Sequence, residues 1–270
     1  TPIVLNGHRW GTGIAQPVMV DHINPIMYVG FNSLAVDAGE VALEYDIPRE
    51  MQDEWAFETQ MKYQEAKKAG RFKVGEELTP VTVPQKKGEP IIFDEDECPR
   101  ETTFESLSKM KPAFKKDGRG TAGNASIISD GAAAVVVMSK DKAEELNCEI
   151  MATIGAQASF GMDMKYLLVS PIWAIPKCLK KEGIAIEDVD LFETNEAFSG
   201  STVAVLKALE LDPSKVNVNG GSVALGHPIG ASGCRVLVTL LHELIRRDKK
   251  IGVASLCLGG GEGVAMVVKR

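Results

Sequence analysis

Ile251-Gly252-Val253-Ala254-Ser255-Leu256-Cys257-Leu258-Gly259-Gly260-Gly261-Glu262-Gly263-Val264-Ala265-Met266-Val267-Val268 sets the fold class. Two apolar runs, 251–257 and 264–268, flank a cluster of glycines. Each run has the length of a strand and is too short for a helix. Glycine reaches backbone conformations closed to other residues, so the join reads as a hairpin whose backbone comes close to something. Upstream, strand and helix signals alternate. Residues 189–192 read as a strand, 196–209 as a helix, 216–219 as a strand and 231–247 as a helix. Before them come a buried strand over 132–138 and a short helix over 141–146. Such alternation predicts an α/β layered unit.

The first half, to about Ser126, is more polar and less regular. Its clearest element is a helix from Pro48, a favoured first-turn residue, to Gly70, a stop signal. Met51, Trp55, Thr59 and Tyr63 recur every four positions and predict one packed face. The apolar pieces at 78–83 and 90–93 read as strands or loop edges, and Pro80 and Pro84 exclude central strands there.

The chain has 270 residues, 44% hydrophobic and 25% charged, with net charge −7. That composition is globular, and no apolar run is long enough for a membrane helix. Residues 1–16 lack the basic start and apolar stretch of a signal peptide. The acidic balance disfavours nonspecific nucleic-acid binding but leaves room for a local basic patch facing a phosphate. Five cysteines, none in a CxxC pair, argue against a disulfide framework or zinc site and for a cytoplasmic, reducing location. The four histidines show no metal-ligand spacing.

Three segments follow predicted strands and are expected to meet at one end of a sheet. They are Asn195-Glu196-Ala197-Phe198, Gly226-His227-Pro228-Ile229-Gly230-Ala231-Ser232-Gly233, and Cys257-Leu258-Gly259-Gly260-Gly261. Singly, each has an ordinary explanation. Thr194 or Asn195 can cap the next helix, His227 can be a bonded structural histidine, and Cys257 a small buried hydrophobe. Together they form a kit for acyl transfer. His227 titrates near physiological pH and can activate a nucleophile. The Cys257 thiol can serve as acid or base if polar neighbours tune it. Asn195 and the backbone N–H groups of the glycine turn can bind an oxyanion.

In order and spacing these segments resemble the NEAF, GHPxGxSG and CxGGG signatures of the thiolase family. Lys111-Pro112-Ala113-Phe114, Thr121-Ala122-Gly123-Asn124-Ala125-Ser126 and Asp130-Gly131-Ala132-Ala133-Ala134 resemble its KPAF, TAGNAS and DGAAA segments. The resemblance covers essentially the whole chain. It implies a thiolase-like layered α/β/α/β/α fold. Residues 1–128 would form a loop domain for coenzyme A binding and tetramerisation, 129–149 a returning strand and helix of the N-terminal domain, and 150–270 the C-terminal domain.

The implied activity is acyl-CoA C-acetyltransfer: Claisen condensation of acetyl-CoA, or thiolysis of 3-ketoacyl-CoA. Cys257 would exchange the proton. His227 would activate a nucleophilic cysteine and help bind the thioester oxygen, Asn195 would hold the water that completes that first oxyanion hole, and the Gly259 N–H would belong to the second. Ser126, Ala122, Phe114 and Phe198 would line the pantetheine path. Arg100, in a stretch similar to ExPRxxTT, would face the adenine-side phosphate or simply be solvated. Coenzyme A and acyl-CoA would be substrates, with no permanently bound cofactor. The implied assembly is a homodimer or tetramer.

Two features depart from the family pattern. None of the five cysteines stands at a helix start like the family's nucleophile, so a second chain or further segment is expected to supply it. Gly30-Phe31-Asn32-Ser33-Leu34 replaces a YHMG pattern, which leaves room for 3-ketoacyl chains beyond acetoacetyl. Cys257 in its glycine hairpin argues against related condensing enzymes of the same fold. A glycine cluster that precedes a strand argues against a Rossmann nucleotide site. The alternative from a different class is a non-catalytic coenzyme A-binding or assembly subunit.

Overall fold

A computed structural model describes residues 34–270. Residues 30–33 of the departing segment above therefore lie outside the described residues. The elements in chain order are α1 (Leu34–Glu44), α2 (Arg49–Lys68), β1 (Val81–Val83), β2 (Ile91–Phe93), α3 (Phe104–Ser108) and α4 (Lys140–Glu145). They continue as β3 (Thr153–Gly161), α5 (Pro171–Glu182), β4 (Leu191–Thr194), α6 (Ser199–Leu209), α7 (Ser222–Leu225), α8 (Ser232–Arg246), β5 (Ile251–Leu258) and β6 (Glu262–Lys269).

The expected hairpin is the centre of a four-stranded sheet in the order β3-β6-β5-β4. β6 runs antiparallel to both β3 and β5, and β4 runs parallel to β5. Successive side chains on a strand point to opposite faces, and this alternation separates two cores. Phe192, Val253 and Val267 face α5 and α6, together with Ile175, Val205 and Trp55. Leu191, Ala254 and Val268 face Val236, Leu240 and Leu244 of α8. Those three recur every four positions on one side of α8, and all are fully buried. Gly252 lets α8 come close: a Cβ there would lie 2.9 Å from both Leu240 Cδ1 and Leu244 Cδ1. Mixed strands between helical layers give the expected α/β class.

α2 follows its sequence signal. Trp55, Thr59 and Tyr63 are buried on one face, and Met51 is half-buried. β1 and β2 pair as a separate exposed ribbon. α6 begins at Ser199, later than expected, and Phe198 occupies its N-cap, so neither Thr194 nor Asn195 caps it.

Two strand expectations are corrected. Residues 132–138 are neither a strand nor buried; Val136 is 85% and Val137 66% exposed. A strand needs a neighbour to take its backbone hydrogen bonds, and no described strand lies beside this one. Residues 216–219 form only a bridge from Val216 to Phe192. The reason is Asn217, which sits at φ 46° and turns the backbone away. Its side chain replaces the missing strand: Oδ1 accepts from Thr194 N at 2.8 Å, and Nδ2 donates to Thr194 O at 2.8 Å.

β3 and α5 give no clear sequence signal. β3 is bulged between Ile154 and Gln157 and only half-buried, which blurs its alternation. α5 carries Pro176 in its interior, a residue that normally argues against helix.

Candidate active site

β4 and β5 are parallel, so their carboxyl ends lie at the same edge of the sheet. Asn195 N donates to Ser255 O at 2.9 Å, which puts Asn195 at that edge, with Cys257 two residues further along the neighbouring strand. The 226–233 loop reaches the same place. Asn195 Nδ2 and His227 Nε2 are 3.2 Å apart. The first two signatures therefore meet in direct contact.

The surroundings of His227 are specific. Its backbone N–H donates to Ile127 O at 2.8 Å, tying the loop to the end of the TAGNAS segment. Nδ1 lies 2.6 Å from Ser232 Oγ at the start of α8, and that hydroxyl donates to Pro228 O at 3.0 Å. Burial, and then the Arg235 charge, push the imidazole down to about 4. The ring is thus neutral at physiological pH, well below the ordinary value expected from the sequence. A neutral imidazole can accept a proton, although with reduced basicity.

Cys257 is half-buried, in an apolar group with Ala38, Leu168, Ala197 and Phe198. Burial raises its thiol to about 11, offset only partly by a backbone hydrogen bond. At rest it is a protonated thiol suited to giving a proton, and a strong base once it has lost one. Gly259 is exposed in the hairpin turn. Gly261 has φ 87°, and a Cβ there would lie 2.4 Å from Met162 O, so only glycine fits.

The residues expected along a pantetheine path divide. Ser126 N donates to Ala197 O at 3.1 Å, and Ala125 bridges Phe198, so the TAGNAS and NEAF segments lie side by side. Asn124 fixes that loop: its Oδ1 accepts from Thr121 N at 2.8 Å, and its Nδ2 donates to Asp53 Oδ1 at 2.9 Å. The Phe114 and Phe198 rings meet edge-on, with centroids 6.1 Å apart. Ala122 is exposed on the same loop. Arg100 is exposed, its backbone N–H donating to Gln60 Oε1 at 2.9 Å.

Glu196 plays a structural part. Its buried carboxylate accepts from Trp55 Nε1 at 3.0 Å, Thr59 Oγ1 at 3.0 Å, Asn217 Nδ2 at 2.8 Å and Val223 N at 3.1 Å. It ties α2, α7 and the 217 turn to the end of β4. The sequence reading also missed Ser222, Arg235 and Glu193. Ser222 Oγ donates to Asn195 Oδ1 at 2.7 Å and accepts from Arg235 Nη2 at 2.9 Å. Arg235 Nη1 lies 3.9 Å from Glu193 Oε2. Glu193, two residues before Asn195, carried the only available signal: charge is unusual inside a strand that is otherwise buried.

Of the cysteines other than Cys257, Cys234 is half-buried in the first turn of α8, and Cys98, Cys148 and Cys178 stand at no helix start. Burial raises Cys98 and Cys178, the reverse of activation. Cys178 Sγ bonds Ala156 O, and Cys148 is exposed on the loop after α4. Among the described residues no group of three or more His, Cys, Asp or Glu could hold a metal ion, and no helix is long and apolar enough to cross a membrane.

Residues 3–141 match the thiolase N-terminal domain family and residues 148–270 the thiolase C-terminal domain family. Acetyl-CoA acetyltransferase of Pseudomonas aeruginosa is 49% identical over all of this chain, which covers 69% of that protein. The enzyme of the same name from Allochromatium vinosum is 51% identical, with 98% of this chain and 67% of that protein aligned. The crystal structure of Bacillus anthracis acetyl-CoA acetyltransferase superposes with a TM-score of 0.87 at 40% identity, over 98% of this chain and 68% of that one. Human mitochondrial 3-ketoacyl-CoA thiolase in complex with CoA gives 0.79 at 40% identity, over 88% and 59%.

Proposed function

Because this chain belongs to the thiolase family, we propose that it provides the acid–base half of an acyl-CoA acyltransferase. The reaction is thiolysis of 3-ketoacyl-CoA, or the reverse Claisen condensation of acetyl-CoA. The observation that carries this reading is the Asn195–His227 contact at the carboxyl ends of β4 and β5, with Cys257 on the adjoining strand end. A thioester oxygen bound there would meet the Asn195 amide, while the neutral His227 ring takes the proton of an attacking thiol. Cys257 moves the α-proton, taking it in condensation and returning it in thiolysis. The Gly259 N–H serves the second developing oxyanion.

The raised thiols of Cys98 and Cys178 and the exposed loop position of Cys148 support a nucleophile supplied from outside these 270 residues, and Cys234 is the cysteine within them that stands at a helix start. Coenzyme A is read as the substrate along Phe114, Ala122, Ser126 and Phe198, with the exposed Arg100 offered to a terminal phosphate. A homodimer or tetramer is the inferred assembly.

Thiolysis of a 3-ketoacyl-CoA by free coenzyme A, followed as loss of the ketoacyl thioester, tests the reading. The protein is purified with whatever accompanies it. Turnover is expected, and Cys257→Ala should lower it by about 10²–10⁴-fold, the usual worth of a positioned acid–base group. No turnover would favour the non-catalytic, coenzyme A-binding alternative. Turnover that survives Cys257→Ala would show the proton carrier to be another residue.

A further inference from the structure

The contact between Asn195 and His227 leaves two choices open. An amide can be turned either way, and a neutral imidazole carries its proton on either nitrogen. Two serines and one arginine remove both.

Arg235 is a permanent donor. Its Nη2 donates to Ser222 Oγ, so the single hydroxyl hydrogen of Ser222 points away from the guanidinium, toward Asn195 Oδ1 at 2.7 Å. With its oxygen held, Asn195 turns its NH₂ to His227 Nε2. That nitrogen must accept, so the ring proton sits on Nδ1. The other side of the ring agrees. Ser232 Oγ already gives its hydrogen to Pro228 O and can receive the Nδ1–H at 2.6 Å. The reverse arrangement would leave the Ser222 hydrogen without an acceptor in a fully buried place, a costly defect.

We propose that Arg235, acting through Ser222, is a positioning residue that fixes the Asn195 amide and thereby holds His227 in the Nδ1–H form with Nε2 unprotonated. It rests on the reading of Asn195 and His227 as the acid–base pair. The unprotonated Nε2 is the atom that reading requires to take a thiol proton, in exchange for the hydrogen bond it accepts from Asn195. Arg235 itself has Glu193 beside it, with Nη1 3.9 Å from a carboxyl oxygen, close enough for electrostatic contact and too far for a hydrogen bond.

The test is spectroscopic and independent of turnover. The ¹⁵N-labelled 270-residue chain is examined near neutral pH by long-range ¹H–¹⁵N correlation of its imidazoles. His227 is assigned by loss of its signals in His227→Asn. The wild-type ring should show one pattern, protonated Nδ1 and unprotonated Nε2. Arg235→Met should shift the Asn195 side-chain amide and replace that pattern by tautomer averaging. Arg235→Lys keeps a donor for Ser222 and should restore it. Ser222→Ala should match Arg235→Met, and it carries the test if the methionine variant does not fold. A wild-type ring protonated on Nε2 overturns the proposal, as does a pattern unmoved by both Arg235→Met and Ser222→Ala. A locked Nδ1–H ring in a chain without thiolysis activity would leave the positioning intact and count only against the catalytic reading.

Discussion

Residues 132–138 and 264–268 are built from the same material, alanine with valine and methionine, and they end in opposite states. The second run lies in β6, bonded on one side to β3 and on the other to β5, with Val267 and Val268 in two different cores. The first lies on the surface, bonded to no described strand. Apolar composition therefore supplies the tendency to pair, and the neighbour decides whether pairing occurs. An apolar run left exposed in this way is an association liability. It is also where the proposal that further protein completes the molecule bears on the fold.

The comparison can be broken most strongly in the core. Leu240→Ala beside β5 should lower stability by about 2–5 kcal/mol, through lost burial and the cavity left behind. Val136→Ala should change it by less than about 0.5 kcal/mol, as an exposed substitution does. Urea midpoints of the two variants measure both. A large loss for Val136→Ala would show that the run is sealed in solution.

A smaller effect comes from titration. Burial raises Glu193 to about 8, with Glu196, Glu77 and Glu243 adding to it and Arg235 opposing. The folded chain keeps this proton while the unfolded chain loses it near 4.5, so its contribution to stability fades as pH rises from 4.5 to about 8. His227 acts in the opposite sense. Its folded value is about 4 against 6.5 unfolded, so its contribution is complete above 6.5 and fades as pH falls to about 4. Between pH 6.5 and 8 mainly the Glu193 slope remains, at most about 1.4 kcal/mol per pH unit. Glu193→Gln should flatten it in urea titrations at those two pH values. An unchanged slope would assign the proton to another group. The smallest effect is expected at the surface. Lys109→Ala, which removes the exposed pair with Glu105, should cost less than about 0.5 kcal/mol by the same measurement.

Legibility in the sequence followed the same division. α2 and α8 were readable because each one's own periodicity matches its burial, and the β5–β6 hairpin because two apolar runs flank a glycine cluster. β3 and α5 were not, since a bulge and an internal proline mask patterns that only the packed neighbours enforce. At the site, the motif residues and their shared sheet edge were readable from strand order. Arg235 was not: three residues into a helix it looks like any solvated arginine, and only the docking of α8 turns it toward Ser222. The depressed His227 was hidden for the same reason, because desolvation belongs to the packed loop.

Asn217 has a further consequence. The outer margin of β4 is sealed there by one carboxamide, which gives and takes the bonds a whole strand would otherwise supply. Such a seal takes little chain to build. It is also brittle, since replacing this single side chain would reopen the margin and, through the bond from Asn217 to Glu196, loosen the turn that carries Asn195.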